Sequence, residues 1–326
     1  MGKIISISIA AYNVEKFLRD TLDSLVHPAI IDDIEVLVID DGSKDSTAQI
    51  GREYQEKYPG SFYLISKPNG GYGSTINAAM DAATGKYFKT LDGDDWFDTE
   101  QFVDLVQALK HADADLVVTP FTMVHEDTNV KDIVQYEQGF GEKIVDFEQL
   151  PIQVYKGIRM HSVAYKTSLL QKNSIRIGEH CFYTDVEYIA FPMVHVNSVM
   201  FLQHNVYQYR IGLEGQSMSV TGFQKHYRDH LKVTHRMEQF YRGCREKGLS
   251  PAKNAYLSCV LKDLITMQYA IFLLVGTKRE FMDFDSNLKE KNPELYAAAA
   301  GKKILLLRKT NFALLGPLRL YSRLRA

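Results

Sequence analysis

The N-terminal third of the chain alternates between strand-like and helix-like segments, and this alternation constrains the fold more than any other feature. Apolar runs rich in β-branched and aromatic residues occupy 4–10, 34–39, 62–66 and 87–91, and amphipathic or small-residue helical segments separate them. Strands that alternate with single helices form mostly parallel sheets with helices packed on their faces. The sequence therefore predicts an α/β fold whose ligands bind at the carboxyl ends of the strands.

The remaining two thirds predict a change of architecture along the chain. A fifth strand is expected at 116–120, mixed segments with hairpin character follow, and a helix at 184–196 precedes a strand at 198–209. Beyond Thr221 the pattern is helical, and Ser250 with Pro251 forms a typical helix start. A chain of 326 residues has room for about two domains. We predict an α/β domain at 1–219, divided into a nucleotide-binding half (1–118) and an acceptor half (119–219), and a helical region at 220–326.

The composition excludes some classes of protein. Hydrophobic residues make up 45% and the formal net charge is −2, so no overall charge favours nucleic acid as a partner. The three cysteines have no metal-ligand spacing, which argues against a zinc site and for a reducing compartment. We see no secretory leader and no apolar run of ~20 residues, so we expect a cytoplasmic protein or one held peripherally on the inner face of the membrane.

An acidic cluster directly follows the run at 87–91. Asp92, Asp94 and Asp95 place three carboxylates within four residues, next to Gly93. Negative charges this close together repel each other, and water or a bound divalent cation relieves the repulsion. Carboxylate oxygens are hard ligands, which favour magnesium or manganese. A metal at a strand end indicates a nucleotide-diphosphate site, and the alternative is a solvated turn that leads into a helix N-cap.

Two common nucleotide-binding motifs do not fit. Gly71, Tyr72 and Gly73 match part of a dinucleotide fingerprint, but Ile76 stands at the third glycine position. A phosphate-binding P-loop pattern is also missing from the sequence. The chain is therefore interpreted as neither a dehydrogenase nor a kinase-like NTPase.

Three segments, in order and spacing, resemble inverting glycosyltransferases of family two. They read SIAAYNVEKFLRDTLDSL from Ser8, VIDDGSKDST over 38–47, and DGDDW at the end of 69–96. Weaker similarity continues to Ser219 through FYTDVE at 182–187 and VYQYRIGLEGQSMS at 206–219. The resemblance implies a GT-A fold, which is Rossmann-like with a mostly parallel sheet, here with a C-terminal helical extension.

The resemblance also implies roles for individual residues. Asp94 would bind the metal, Mn²⁺ or Mg²⁺, directly, and Asp92 would contact the metal or the ribose. Asp185 would be the catalytic base, and its alternative interpretation is a first-turn residue of the helix that starts there. Tyr12 would stack on uracil, and Asp40 would accept a hydrogen bond from the base.

The whole set assigned to the nucleotide-sugar site is Ala10, Ala11, Tyr12, Asn13, Asp40, Asp41, Lys67, Asn69, Gly71, Asn77, Asp92 and Gly93. Lys67 and Asn69 could reach ribose or phosphate. Two departures from the family pattern matter: Ile76 replaces an arginine before Asn77, and Thr184 replaces the glutamate that precedes the base. A contact that depends on that arginine cannot be carried over to this chain.

The C-terminal tail, 301–326, is basic and apolar. It contains seven cationic residues and no acidic one, interleaved with leucines. This composition suits an anionic membrane surface, and the alternative is a packed helix with a solvated basic face.

These expectations combine into one leading hypothesis and two alternatives. The leading hypothesis is a metal-dependent inverting glycosyltransferase that moves a sugar from a UDP-sugar to a hydroxyl of a glycan or lipid-linked acceptor in cell-surface polysaccharide synthesis. A sugar-1-phosphate nucleotidyltransferase would carry a glycine-rich basic loop near the N-terminus, unlike residues 10–13. A non-catalytic nucleotide-sugar-binding subunit would bind the donor without turnover.

Overall fold

The computed structural model describes residues 2–128, 130–136, 140–212 and 220–323. The strands are β1 (Ile5–Ala11), β2 (Ile34–Asp40), β3 (Phe62–Ser66), β4 (Tyr87–Asp92), β5 (Trp96–Phe97), β6 (Leu116–Val118), β7 (Phe121–His125), β8 (Lys131–Val134), β9 (Ile144–Asp146), β10 (Val163–Lys166), β11 (Ser198–Phe201) and β12 (Tyr207–Ile211). The helices are α1 (Leu18–Asp23), α2 (Thr47–Lys57), α3 (Tyr72–Ala82), α4 (Thr99–His111), α5 (Ile152–Gly157), α6 (Thr167–Lys172), α7 (Asp185–Met193), α8 (Val220–Glu246), α9 (Pro251–Phe272), α10 (Lys278–Lys291), α11 (Pro293–Ala298), α12 (Lys302–Lys309) and α13 (Leu315–Arg323).

The strands form two sheets. The larger has eight strands in the order β3-β2-β1-β4-β10-β6-β11-β9, and its first four are mutually parallel. The smaller has four strands in the order β5-β12-β7-β8. The predicted alternation of strands and helices is confirmed, because the four N-terminal strands form at the expected positions with a helix after each of the first three.

The burial of β1 and β2 is consistent with their interior positions in the parallel part of the large sheet. Ile5, Ile7 and Ile9 have no exposed surface, and all seven residues of β2 are buried. An apolar strand covered on both faces is typical of parallel sheets. Each buried isoleucine or valine side chain contributes about 1.5–3 kcal/mol to stability. These stable strands therefore hold in place the loops that follow their carboxyl ends.

The predicted strand at 198–209 is wrong as a single element. The structure has two strands there, with β11 in the large sheet and β12 in the small one. A polar turn separates them: the backbone N–H of Asn205 donates to Gln101 Oε1 (3.1 Å), and its side-chain amide donates to Thr122 (2.7 Å). Because these hydrogen bonds hold the turn, the chain can pass from one sheet to the other.

The chain forms two compact units, 1–213 and 214–326. The predicted boundary near 219 lies outside the described residues, and the division of the first unit at 118 stays a prediction. The described part of the second unit is helical, and α9 begins at Pro251 with the Ser250 hydroxyl accepting from the Lys253 N–H, as expected. None of the described helices combines the length and apolar character that crossing a membrane requires.

Candidate active site

The carboxyl ends of β1, β2 and β4 lie side by side at one edge of the large sheet. The strand register pairs Ala10 with Asp92 and Ala11 with Asp40. Gly93 follows at once, and a Cβ atom there would lie 2.8 Å from the Ala10 carbonyl oxygen. Only glycine fits this close approach, so the turn after β4 depends on it.

Tyr12 and Asp40 provide an exposed ring and a hydrogen-bond acceptor that could bind a flat heterocyclic ring. The side chain of Tyr12 is 51% exposed just beyond β1. Asn13, with φ of 53°, holds the turn by accepting from the Lys44 N–H (2.8 Å). One oxygen of Asp40 accepts from the Ser43 N–H (3.0 Å), and its other oxygen has no hydrogen bond among the described residues. An exposed ring and a carboxylate oxygen that can still accept are what recognition of a nucleobase needs.

Asp41 organises the loop that carries the predicted glycines. Its buried carboxylate accepts from Lys67 Nζ (2.7 Å) and from the N–H groups of Gly70 (2.9 Å) and Gly71 (2.8 Å). The side-chain amide of Asn69 donates to the backbone carbonyl of Asp41 (3.0 Å). Gly71 has φ of 80°, a left-handed conformation that glycine adopts without strain. The Asp41 carboxylate therefore holds the conformation of this loop through hydrogen bonds to its backbone and to Lys67.

Lys67 is held within the same loop. Its ammonium group donates to Asp41, to the carbonyl of Pro68 (2.8 Å) and to the Ser74 hydroxyl (2.8 Å). An ammonium group has three N–H donors, and all three have acceptors here. A contact from Lys67 to ribose or phosphate stays a prediction, and it would require one of these bonds to open.

The three carboxylates of the acidic cluster have different surroundings. Asp95 is buried and accepts from the Tyr207 hydroxyl (2.7 Å) and the Arg210 N–H (2.7 Å). Asp92 accepts from the Tyr72 hydroxyl (2.8 Å). The Asp94 carboxylate is approached by its own backbone N–H but has no hydrogen bond or ion pair with another described residue. Asp95 therefore holds β12 in place, whereas Asp94 is available to a ligand.

His161 adds a nitrogen to this cluster. One ligand atom from each of Asp92, Asp95 and His161 lies within 4.8 Å of the others. The imidazole ring stacks on Tyr209 at 4.3 Å and on Phe121 at 4.9 Å, and its Nδ1 is buried without a hydrogen-bond partner. No sequence pattern distinguishes His161 from the other histidines, because its position depends on packing between distant segments.

The electrostatics of the cluster favour a cation. Desolvation, with the nearby charge of Asp94 as the second cause, raises the pKa of Asp92 to about 7. Desolvation also raises the pKa of Asp94 and lifts that of Asp95 well above its usual range. Beneath them, burial lowers the pKa of Lys89 to about 7, and this lysine donates to the His161 carbonyl (2.6 Å). A divalent ion would restore the ionised carboxylates.

Asp185 begins α7 and lies close enough to Tyr72 and Asp92 for its charge to act on both. Desolvation raises the pKa of its carboxyl, and the N–H groups of Asp185 and Val186 oppose that rise, as does Arg159 to a smaller extent. Because the residue as a whole is exposed, water moderates the rise. Burial, Asp92 and, more weakly, Asp185 raise the pKa of Tyr72 well above its usual range, so the tyrosine hydroxyl lies within the field of both carboxylates.

Helix α3 packs against and hydrogen-bonds to residues 177–179, which precede Asp185 in the chain. The Asn77 amide donates to the Ile177 carbonyl (2.9 Å) and to Glu179 (3.0 Å), and its oxygen accepts from the Ile177 N–H (2.9 Å). A Cβ atom on Gly73 would lie 2.0 Å from the Gly178 carbonyl oxygen. Asn77 thus makes its side-chain contacts with the predicted acceptor half, and its assignment to the nucleotide site stays a prediction.

Arg210 contacts the acidic cluster, although no sequence motif singled it out. Its guanidinium lies over the rings of Phe17 (5.0 Å) and Trp96 (4.6 Å), donates to the Asp94 carbonyl (2.9 Å) and pairs with Glu126 (2.5 Å). The available signal was the arginine in VYQYR, within the 206–219 segment that shows weaker similarity to the family. Arg210 connects that segment to the acidic cluster.

Residues 6–166 match the family model described as Glycosyl transferase family 2. Residues 6–166 therefore form a glycosyl transferase family 2 domain, and the first unit, which contains them, has the GT-A fold. Among curated proteins it is 26% identical over 208 residues to EpsH of Bacillus subtilis (strain 168), covering 59% of this chain and 60% of EpsH. It is 25% identical over 218 residues to the glycosyltransferase GlyA of Streptococcus pneumoniae serotype 4, covering 64% of this chain and 30% of GlyA. The matches thus span less than two thirds of these relatives.

Two solved structures share the fold. Residues 1–349 of TarS from S. aureus, in complex with UDP-GlcNAc, superpose with a TM-score of 0.63 at 19% identity, covering 98% of this chain and 87% of TarS 1–349. The mannosyltransferase PcManGT from Pyrobaculum calidifontis, in complex with GDP-Man and Mn²⁺, gives a TM-score of 0.50 at 17% identity and covers 93% of this chain and 87% of its own. At these identities the similarity concerns the fold.

Proposed function

We propose that this protein is a metal-dependent inverting glycosyltransferase that moves a sugar from a UDP-sugar to a hydroxyl group of a glycan or lipid-linked acceptor in cell-envelope polysaccharide synthesis. The observation that carries the proposal is the Asp94 carboxylate, which has no hydrogen bond or ion pair with another described residue and lies just beyond the end of β4, two residues after Asp92. Family membership and the UDP-GlcNAc bound by TarS, which has the same fold, support this choice of donor.

The residues present fit a divalent cation. Asp94 and Asp92 would hold it. One ring nitrogen of His161 lies within 4.8 Å of carboxylate oxygens of Asp92 and Asp95, so His161 would add a nitrogen ligand on the Asp92 side. Carboxylates with one imidazole suit manganese or magnesium, and PcManGT, which shares the fold, contains Mn²⁺. When bound, the ion supplies positive charge that stabilises the departing diphosphate.

The side chains of the protein itself perform the remaining tasks. Tyr12 stacks on the uracil ring, and the open oxygen of Asp40 accepts from its N–H group. Asp185 accepts the proton of the acceptor hydroxyl as that oxygen attacks the anomeric carbon from the side opposite the diphosphate. The attack from the opposite face inverts the configuration of the anomeric carbon. Tyr72 holds Asp92 by a hydrogen bond and separates it from the base.

The test is turnover of a UDP-sugar panel in the presence of manganese. We expect the protein to hydrolyse at least one UDP-sugar slowly and to release UDP, because water can replace the acceptor hydroxyl. A nucleotidyltransferase would instead form a nucleotide sugar and pyrophosphate from UTP and a sugar 1-phosphate. UDP binding without release of UDP from any UDP-sugar would favour a non-catalytic binding subunit.

The C-terminal tail packs through one face only. Arg308 pairs with buried Asp285 (2.8 Å), donates to the hydroxyl of Tyr269 (3.0 Å) and lies 3.3 Å from the ring centroid of Tyr296. These contacts show that part of the tail is structural. Its inward apolar residues are Ile304, Leu307, Phe312 and Leu315, each at most 6% exposed.

The opposite face of α12 remains open, and we propose that it contacts an anionic membrane. Leu305 is 47% exposed and Leu306 is 41% exposed, and at helical spacing Lys302 and Lys309 lie on the same side. No ion pair among the described residues involves either lysine. Leucines that enter the headgroup boundary beside lysines that face phosphate suit peripheral attachment, at about 1 kcal/mol per cation.

The membrane prediction can be tested without disturbing the inward face. Changing Leu305→Glu and Leu306→Glu together should abolish co-sedimentation with vesicles of phosphatidylglycerol and phosphatidylcholine, because both apolar contacts are lost and two like charges are added. The matched control changes Val130→Glu and Ile133→Glu, which are 50% and 55% exposed in the first unit. Equal, salt-insensitive partitioning of both double variants and the wild type would contradict the proposal.

A further inference from the structure

A cavity of about 450 Å³ lies beside the acidic cluster, between the β7–β8 hairpin and α5. Phe121, Met123, Val134 and Val154 contribute apolar side chains to its wall. Its volume falls within the range of small-molecule sites in proteins. No residue assigned to the nucleotide-sugar site lines it, so the donor does not account for this space.

Polar side chains also line the cavity. Gln135, Gln153 and Arg159 line the cavity and are exposed. The Arg159 guanidinium has no hydrogen bond or ion pair among the described residues, and none of the described lining residues is a carboxylate. Most ordered arginines in this chain are paired or stacked, as Arg210 and Arg308 are. An arginine with free donors at the edge of an apolar cavity is suited to bind an anion.

The cavity borders the place where transfer would occur. Phe121 lines the cavity on one side and stacks on His161 at 4.9 Å. Met160, next to Arg159 in the chain, lies with its sulfur 3.7 Å from the Tyr72 hydroxyl. Burial raises the pKa of Asp185, and the positive charge of Arg159 is the smallest of the causes that oppose this rise, so the guanidinium lies within electrostatic range of the candidate base. A molecule held here could present a hydroxyl to Asp185.

We propose that this cavity is an acceptor subsite and that Arg159 binds a phosphate ester of the acceptor. The guanidinium fork matches two phosphate oxygens, the apolar wall takes the carbon chain next to the phosphate, and the two glutamines bind hydroxyl groups. The proposal rests on the proposed function, because it assigns the acceptor class for that reaction. The phosphate belongs either to a lipid carrier or to a polyol phosphate chain, and both present the same group to Arg159.

The test measures binding of defined probes by calorimetry to protein saturated with manganese and UDP, which occupy the donor site. The probes are n-octyl phosphate, glycerol 3-phosphate and the neutral n-octyl β-glucoside. We expect at least one phosphate probe to bind, and its affinity to fall about tenfold in Arg159→Gln, because one charge-assisted contact is lost. The neutral glucoside should bind equally to both proteins. A stronger response to octyl phosphate identifies a lipid phosphate, and an equal or stronger response to glycerol 3-phosphate identifies a polyol phosphate.

Arg176→Gln is the matched control, because Arg176 is exposed and pairs with Asp81 at 2.6 Å. It should bind each phosphate probe as the wild type does. The proposal is overturned if neither phosphate binds, or if Arg159→Gln binds them as tightly as the wild type. Failure of the proposed function looks different: UDP would not bind with manganese, while phosphate binding and its dependence on Arg159 would remain measurable without UDP.

Discussion

Asp185→Asn should reduce sugar transfer by about 10²- to 10⁴-fold while leaving UDP affinity nearly unchanged. The amide keeps the shape of the side chain and its place at the start of α7, but it cannot take the acceptor proton. The effect should therefore appear in kcat rather than in donor binding. Steady-state transfer rates together with calorimetric UDP binding would separate these quantities.

The matched control for that variant is Asp113→Asn. Asp113 is 78% exposed and pairs with Lys166 at 2.9 Å, on a surface far from any assigned role. Its transfer rate should equal that of the wild type. If Asp185→Asn retains transfer within a few-fold of the wild type, the base lies elsewhere and Asp185 is a first-turn residue of α7.

Asp94→Ala and Asp92→Ala should each remove most of the metal-enhanced binding of UDP. A carboxylate that binds a metal directly offsets the cost of removing water from the ion, so we expect manganese affinity to fall by at least about 100-fold. The measurement is calorimetry of UDP binding with and without manganese. Asp104→Ala, on the exposed face of α4, should leave both titrations unchanged.

Asp95 provides a sharper contrast within the same cluster. Since its oxygens accept from Tyr207 and Arg210, Asp95→Ala should lower the midpoint of urea unfolding as well as metal affinity. Asp94→Ala removes no side-chain hydrogen bond to another described residue, so its unfolding midpoint should stay near that of the wild type. Undiminished manganese-enhanced UDP affinity in both Asp94→Ala and Asp92→Ala would refute the metal assignment.

The parts of the fold that depend on local pattern could be predicted from the sequence. Strands such as β2 are apolar along their whole length because both faces are covered, and the acidic residues follow β4 directly. The segment 198–209 reads as one strand in the sequence, whereas the structure divides it into β11 and β12. The turn between them depends on hydrogen bonds from Asn205 to Gln101 and Thr122, which are about 100 and 80 residues away in the chain.

The candidate site shows the same limit. Asp92, Asp94 and Asp185 could be selected because they stand in recognisable motifs at element ends. His161, Tyr72 and Arg159 could not, because their importance comes from contacts between segments that are distant in the chain. The assigned role of Lys67 was plausible from its position, but the sequence does not show that Asp41, Pro68 and Ser74 already accept its three donors.

The absence of a side chain at Gly73 limits how this protein could be recombined with its relatives. Its backbone fits against the Gly178 carbonyl, and Asn77 on the same helix binds Ile177 and Glu179. The nucleotide-binding and acceptor halves predicted from the sequence are thus interlocked across about 100 positions. A chimera that exchanged only one half would bring together two surfaces that did not evolve against each other. Block exchange intended to alter donor choice should transfer α3 and the 177–179 segment as one unit.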